Sequence, residues 1–426
     1  MDDGELSRLE LDPDREVGAT YRGWREGEFD FHLLDVGVAE ASFAVYPDGT
    51  TALIDCGDRD PDSRGESGRR PRPDPSRRPG EWTARYIARL RPEITTIDYL
   101  VATHFHKDHI GSSVDGAGMT VGRGEEYQLS GLSQVGEYYR FGTAFDRGFP
   151  DYPHVGEKSL PEVENYRRFL GYHERTFGTR REAFVVGAVD QLGARFLPSD
   201  HDFHVRNVCA NGRVWLGEKA GTVDLIARAG LDDIRPRLEN TMSVGLAVRF
   251  GAFRFFIGGD VMNATRDGTW NDGLDVEGPL GRALGPLDAC KAQHHASRGS
   301  MTPAFVNATR PRAFLVNVWQ DRQLKAHALA AMGDDSGTGY PGVRIVCPTG
   351  LCAWHDALAQ TEPWGRYFVR RSGHVVLKAY AGGDWFKVYY LTSEDESMRV
   401  DAVFGPFRSR FADVPDVPDV PDVGGA

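Results

Sequence analysis

Six consecutive residues, His104-Phe105-His106-Lys107-Asp108-His109, place three imidazoles and a carboxylate directly behind an apolar run, Ile97-Asp98-Tyr99-Leu100-Val101-Ala102. Few folds tolerate so many titratable groups at the end of a buried strand, because each costs free energy to desolvate unless it finds a partner. Neutral imidazole is the commonest nitrogen ligand of a metal ion, and a carboxylate adds charge for a second cation. Residues two apart in extended chain point the same way, so His104 and His106 can grip one ion. A bend into a helix just beyond them aims Asp108 and His109 at a second. The competing reading is a polar turn with no ligand.

One motif supplies about four ligands, and a two-metal site needs more. Asp260 follows an apolar strand, 253–257, and a Gly258-Gly259 pair that lets backbone approach closely. A carboxylate there can bridge two ions; otherwise it is a helix cap or a turn aspartate. His294-His295 also stands at a strand end. His294 is taken as the ligand and His295 as a proton donor or orienting group, against the alternative of loop histidines.

The surrounding chain reads as layered α/β. Residues 29–57 hold three β-rich runs and a Pro47-Asp48-Gly49 turn. Residues 58–80 are Asp, Arg, Pro, Ser, Gly and Glu, so a mobile, solvated loop is expected. Trp82, Tyr86, Ile87 and Leu90 recur at helical spacing until Pro92. Residues from about 111 to 235 read as an insertion or cap, with helices near 163–176 and 179–192. A second hairpin, 242–256, turns at Gly251 and closes on Gly259-Asp260, as the first closes on Asp55-Cys56-Gly57. Two such halves suggest a pseudo-symmetric pair of sheets. Strands at 313–316, 343–347, 374–379 and 386–390 and a helix near 325–332 follow. The expected division is an extension over 1–28, one domain over 29–400, and a terminal segment over 401–426 that ends in an extended Val-Pro-Asp repeat.

Composition narrows the partners. Sixty-two acidic against fifty basic residues leave a net charge of −12, which repels phosphate backbones, so nucleic acid is possible but disfavoured. No secretory signal opens the chain and no run of ~18 apolar residues could span a bilayer, so a cytoplasmic protein without a membrane partner is expected. Five cysteines, Cys347 and Cys352 included, read as reduced thiols.

Thr103-His104-Phe105-His106-Lys107-Asp108-His109-Ile110-Gly111 resembles the T-H-x-H-x-D-H-x-G signature of the metallo-β-lactamase superfamily. Leu34-Asp35-Val36-Gly37, Leu53-Ile54-Asp55-Cys56-Gly57, Asn240-x-x-Ser243, Gly259-Asp260 and Lys291-x-x-His294-His295 follow in the order of a subgroup. They resemble the hydrolase domain of ComEC-type DNA-uptake channels and its stand-alone relatives. The resemblance implies a four-layer αββα sandwich with an inserted elaboration, a dinuclear site at one sheet edge and a bridging hydroxide as nucleophile. It implies His104 and His106 on the first ion, Asp108, His109 and His294 on the second, Asp260 between them and Asp55 as a brace. The family's L-D-V-G-Q-G-D ends here in Val38-Ala39-Glu40, and its H-H-G-S reads His294-His295-Ala296-Ser297. No third histidine for the first ion stands out; His154 is nearest, with Asp151 as an oxygen alternative. His173, His201 and His204 read as surface residues.

Two cations ~3.5–4 Å apart would acidify a shared water, clamp a substrate oxygen and stabilise the leaving oxyanion. The expected activity is metal-dependent hydrolysis of a phosphodiester or related phosphate ester, a small molecule included. Asp108 would orient the nucleophile, and His295 or His327 would protonate the leaving group. The donor set suits two Zn²⁺, with Mn²⁺ or Fe²⁺ as alternatives. Competing readings are a binding or regulatory module without turnover, a lactone or thioester hydrolase, and a di-iron redox enzyme. Tyr138, Tyr139, Phe141, Phe145, Phe149 and Tyr152 form either a stacking wall or core.

Overall fold

Strand β1 (Phe29–Leu33) shows in five residues how the protein is layered. Phe29, Phe31 and Leu33 face an all-apolar layer that includes Phe203, Phe253, Phe255, Val375 and Leu377. Asp30 and His32 point the other way, where His32 Nδ1 meets the Tyr86 hydroxyl (2.9 Å) and Asp30 meets Lys378 (2.7 Å). Every residue of the strand is buried. That is the signature of a sheet covered on both faces.

The structure, a computed structural model, describes residues 16–59, 69–112, 126–198, 201–264, 273–333, 344–361 and 372–412, together with 122, 340, 342, 365 and 368. One sheet contains β1, β2 (Ala41–Val45), β3 (Thr51–Cys56), β4 (Thr96–Ala102), β5 (Arg140–Asp146), β6 (Arg180–Ala183), β15 (His374–Ala379), β16 (Trp385–Leu391) and β17 (Val400–Arg408). Its order is β17-β16-β15-β1-β2-β3-β4-β5-β6. The other contains β7 (Phe203–Ala210), β8 (Arg213–Trp215), β9 (Thr222–Asp224), β10 (Gly245–Phe250), β11 (Phe253–Ile257), β12 (Ala289–Lys291), β13 (Ala313–Val316) and β14 (Ile345–Pro348). Its order is β14-β13-β12-β11-β10-β7-β8-β9. Helices Pro79–Leu90 and Leu160–Phe177 cover the first sheet, and Glu277–Leu284, Pro303–Thr309 and Ala326–Gly333 cover the second. The result is an αββα sandwich, as the motif resemblance implied.

Several local expectations change. Residues 179–192 do not form a helix: 180–183 is strand β6, and the rest is turns and irregular chain with a bridge from Val189 to Arg206. Its Phe184-Val185-Val186 run is β-favouring rather than helical. The stretch 111–235 supplies β5 and β6 to one sheet and β7 to β9 to the other. Strand β17 runs to Arg408, past the expected boundary at 400, because an edge strand need not carry an apolar pattern. Of the expected loop 58–80, residues 60–68 lie outside the described residues, as does the Val-Pro-Asp tail. Arg69 is not solvated: it forms a two-pronged pair with buried Asp35 (2.7 and 2.8 Å). His173 is fully buried beside Phe141, Phe169 and Phe177, not at the surface. Tyr139, Phe141, Phe145 and Tyr152 are buried in core, and only Tyr138 stands exposed. All five cysteines are free and buried. Among the described residues no helix is long and apolar enough to cross a membrane.

Candidate metal centre

Four strand ends meet at one rim. β3 runs parallel to β4 in the first sheet and β11 parallel to β12 in the second. Ligand sites in open α/β sheets collect beyond the carboxyl ends of such strands. Here β3 ends near Asp55, β4 leads through Thr103 to His104, β11 leads to Gly259-Asp260, and β12 leads to His294-His295.

Asp55 fixes the histidine turn. Its carboxylate accepts the Thr103 N–H (2.7 Å) and hydroxyl (2.6 Å) and faces His109 Nδ1 at 2.8 Å. A carboxylate on Nδ1 directs the other ring nitrogen outward as the ligand atom. Gly57 lets the short helix Lys107–Ile110 close against β3, since a Cβ there would lie 1.9 Å from the Asp108 carbonyl.

Asp260 is the hub. Its Oδ2 lies 3.2 Å from His109 Nε2, 3.3 Å from His295 Nε2 and 3.8 Å from His104 Nε2. His104 Nε2 is in turn 3.1 Å from His106 Nδ1. Two donors each ~2.1 Å from a tetrahedral ion stand roughly 3.4 Å apart, so these spacings suit shared ions. Glu40, His109, Asp260 and His295 offer four donor atoms mutually within 4.8 Å. Asp108 lies outside that foursome, half-buried on the first turn of its helix.

Glu40 is the residue that sequence reasoning missed. In the motif it looks like an eroded end, yet a carboxylate still stands there. Glu40 Oε1 pairs with Lys291 Nζ (2.6 Å), and Oε2 lies 3.3 Å from His295 Nδ1. Lys291 also donates to the Gly259 carbonyl (3.0 Å), which ties Glu40 to the turn that presents Asp260.

The histidine pair is arranged contrary to expectation. His295 faces Asp260, and its ring packs edge-on to Trp319 with centroids 4.4 Å apart. His294 has Nδ1 3.1 Å from the Arg298 carbonyl and Nε2 3.0 Å from Asn240 Nδ2. Residues 294–296 are all left-handed, with φ of 46°, 54° and 53°. Non-glycine residues rarely adopt that backbone, and such strain gathers at functional sites. His154 and Asp151 are exposed and outside the donor group. Asp146, nearer the end of β5, is consumed by its own turn through Gly148 N, Phe149 N and the Tyr152 hydroxyl.

Charges at the rim are tightly interlocked. Burial pushes the His109 pKa down, but Asp260 and Asp55 on either side win and hold it well above the ordinary value. Burial pushes Asp260 up, and His109 and His295 overcome it, holding the carboxyl well below its usual range. His104 is held well below the ordinary imidazole value by burial and by neighbouring His109. Burial takes His294 down to about 4. His109 Nε2, Asp260 Oδ1, Glu40 Oε2 and both His295 ring nitrogens are buried without a hydrogen-bond partner. So many orphaned atoms in one place are costly, and a divalent cation, once the His109 proton has left, is a partner that the carboxylate oxygens and the imidazole Nε2 atoms fit.

A second donor group is a poorer cation site. Asp190, His201 and His204 lie half-buried together, and the Asp190–His204 contact of 2.9 Å is an ordinary hydrogen bond. Arg206 and Arg249 line the same groove as His204. Their charge opposes a cation.

The model of the metallo-beta-lactamase superfamily matches residues 36–115, which carry β2 to β4, Glu40, Asp55 and the histidine turn. No curated protein matches the chain. The match supports that superfamily, whose members are typically hydrolases, and the two-sheet sandwich and the donor cluster agree with a metallo-β-lactamase fold that carries a candidate site for divalent metal.

Proposed function

We propose that this chain is a hydrolase of phosphodiesters or related phosphate esters, a stand-alone relative of the ComEC-type domains, working with two zinc ions at the Asp260 rim. One observation carries the reading: a single buried carboxylate oxygen faces imidazoles from two separate stretches of chain, while its other oxygen has no partner. His104 and His106 would hold one ion, His109 and His295 the other, with Asp260 shared and Asp108 beside the second. His295 thereby takes the part that the motif resemblance gives to His294. Divalent ions held there supply Lewis acidity and an acidified water.

The chain's own residues do the remainder. Asp55 holds His109 by Nδ1, and Glu40 stands at His295 Nδ1, so each imidazole presents Nε2 toward Asp260. Lys291 neutralises Glu40 and fixes the Gly259 carbonyl. His294 stands next to the ligands with Nδ1 at the Arg298 carbonyl and Nε2 at Asn240, so both ring nitrogens are engaged and it orders the rim rather than donating a proton. The free buried thiols suit a reducing compartment, consistent with a cytoplasmic location.

The test is elemental analysis of the purified protein, followed by assays on a chromogenic phosphodiester, a lactone and a thioester with and without chelator. Two zinc ions per chain and chelator-sensitive phosphodiester cleavage are expected. A metal-loaded protein inert toward all three substrates would sink the catalytic reading and leave a binding module.

A further inference from the structure

Residues 239–244 touch three stretches that bring donors to the rim: the histidine turn, the Asp260 turn and the histidine pair. Glu239 Oε1 accepts the Phe105 N–H (2.8 Å), in the middle of the His104–His106 pair. Asn240 Nδ2 lies 3.0 Å from His294 Nε2. Ser243 Oγ accepts the Asp260 N–H (3.1 Å), and Val244 N–H donates to the Thr103 carbonyl (2.8 Å). Glu239 is itself locked. Arg147 donates to it through Nε (2.8 Å) and Nη2 (2.5 Å), and its guanidinium lies 4.5 Å from the centroid of the Phe105 ring. Arg147 Nη1 reaches Asn211 Oδ1 (3.2 Å), and Asn211 donates back to the Arg147 carbonyl (2.7 Å).

Both Glu239 oxygens are thus taken, so Glu239 is not itself a ligand. Stability is a weak reason for the pair, because desolvating two charges offsets much of their attraction, and apolar replacements of buried pairs are often neutral. Neighbours that orient metal ligands, by contrast, influence the ions strongly. We propose that Glu239, held by Arg147, is a positioning residue for the metal centre, a role that rests on the metal-hydrolase reading. It fixes the backbone between His104 and His106, and with it the angle at which that pair meets Asp260.

The experiment loads the full-length protein with Co²⁺, whose visible absorption reports ligand geometry, and measures affinity alongside the spectrum. Glu239→Ala should weaken metal binding by ~10–100-fold and alter the spectrum. Glu239→Gln, which keeps an oxygen for the Phe105 N–H, should shift both in the same direction by less. Lys378→Met disrupts another buried ion pair, with Glu28 and Asp30, and should lower the melting temperature without touching the spectrum. If the Ala variant fails to fold, the Gln variant decides alone. Wild-type affinity and spectrum in folded Glu239 variants would overturn the positioning role while leaving the metal reading intact. A wild-type protein that takes up neither Co²⁺ nor Zn²⁺ would overturn both.

Discussion

Asp55 and Asp260 stand in matching places and do different work. Asp55 lies in the second strand of the β2–β3 hairpin, one residue before its end, and Asp260 lies just beyond the β10–β11 hairpin; each is buried against the same imidazole ring, His109. Asp55 is saturated: two donors from Thr103 and one ring nitrogen occupy it. Among the described residues no backbone N–H donates to the Asp260 carboxylate, whose Oδ1 has no partner and whose Oδ2 turns to three imidazoles. A saturated carboxylate braces and an unsaturated one binds. The difference supports the two proposed roles without appeal to motif position.

Removing the binding carboxylate should have the largest effect. Asp260→Ala deletes the shared donor and leaves His109 and His295 facing an empty corner, so metal content and hydrolysis should collapse together, by more than the ~10–100-fold that losing a ligand's orienting partner costs. Measured zinc content equal to wild type would erase the distinction between the two aspartates. Next comes Glu40, which pairs with Lys291 at the rim. Glu40→Gln strands a buried ammonium, and breaking such a pair costs about 3–5 kcal/mol. Chemical denaturation should show that loss. Adding Lys291→Met should restore stability without restoring activity, which separates the pair's electrostatic role from its catalytic one.

A smaller effect is expected at the brace. Asp55→Asn keeps an acceptor for the Thr103 N–H but no longer selects the His109 nitrogen that faces Asp260. Metal affinity or activity should drop ~10–100-fold with the fold preserved. A deficit as deep as that of Asp260→Ala would mean that Asp55 acts as more than a brace.

The two aspartates also show what could be read from sequence. The histidine turn was legible because its chemistry is local: His104, His106, Asp108 and His109 follow one strand, and groups packed that densely need a cation to offset their desolvation. Asp260 was legible from the apolar strand and glycine pair before it. Glu40 was not, because its meaning comes from Lys291, some 250 residues on, and a missing motif letter looked like loss. The choice between His294 and His295 depends on three left-handed residues that no periodicity announces. Strand β6 was missed for a different reason: four residues at a sheet edge carry too little pattern to outweigh a helical reading. The sandwich itself was accessible because its strands, buried on both faces, form apolar runs that turns punctuate.

Protons offer the finest test of whether the brace and the binder share one charge. Without metal, His109 lies between two carboxylates, and its folded pKa stands well above the unfolded value of about 6.5. The stabilisation it contributes is therefore full below about pH 6.5 and is lost as pH rises through the folded pKa. Asp260 has the opposite sign: its folded pKa is depressed, so its contribution is full above about pH 4 and is lost as pH falls through the folded value. The metal-free protein should accordingly be favoured by this pair between about pH 4 and 6.5 and should weaken toward alkaline pH. Binding metal requires the His109 proton to leave, so uptake at neutral pH should release about one proton per chain and tighten as pH rises. Calorimetry in buffers of different ionisation enthalpy measures that proton directly. Uptake with no proton released would mean that His109 is already neutral between its two carboxylates, and the shared charge would have to be placed elsewhere.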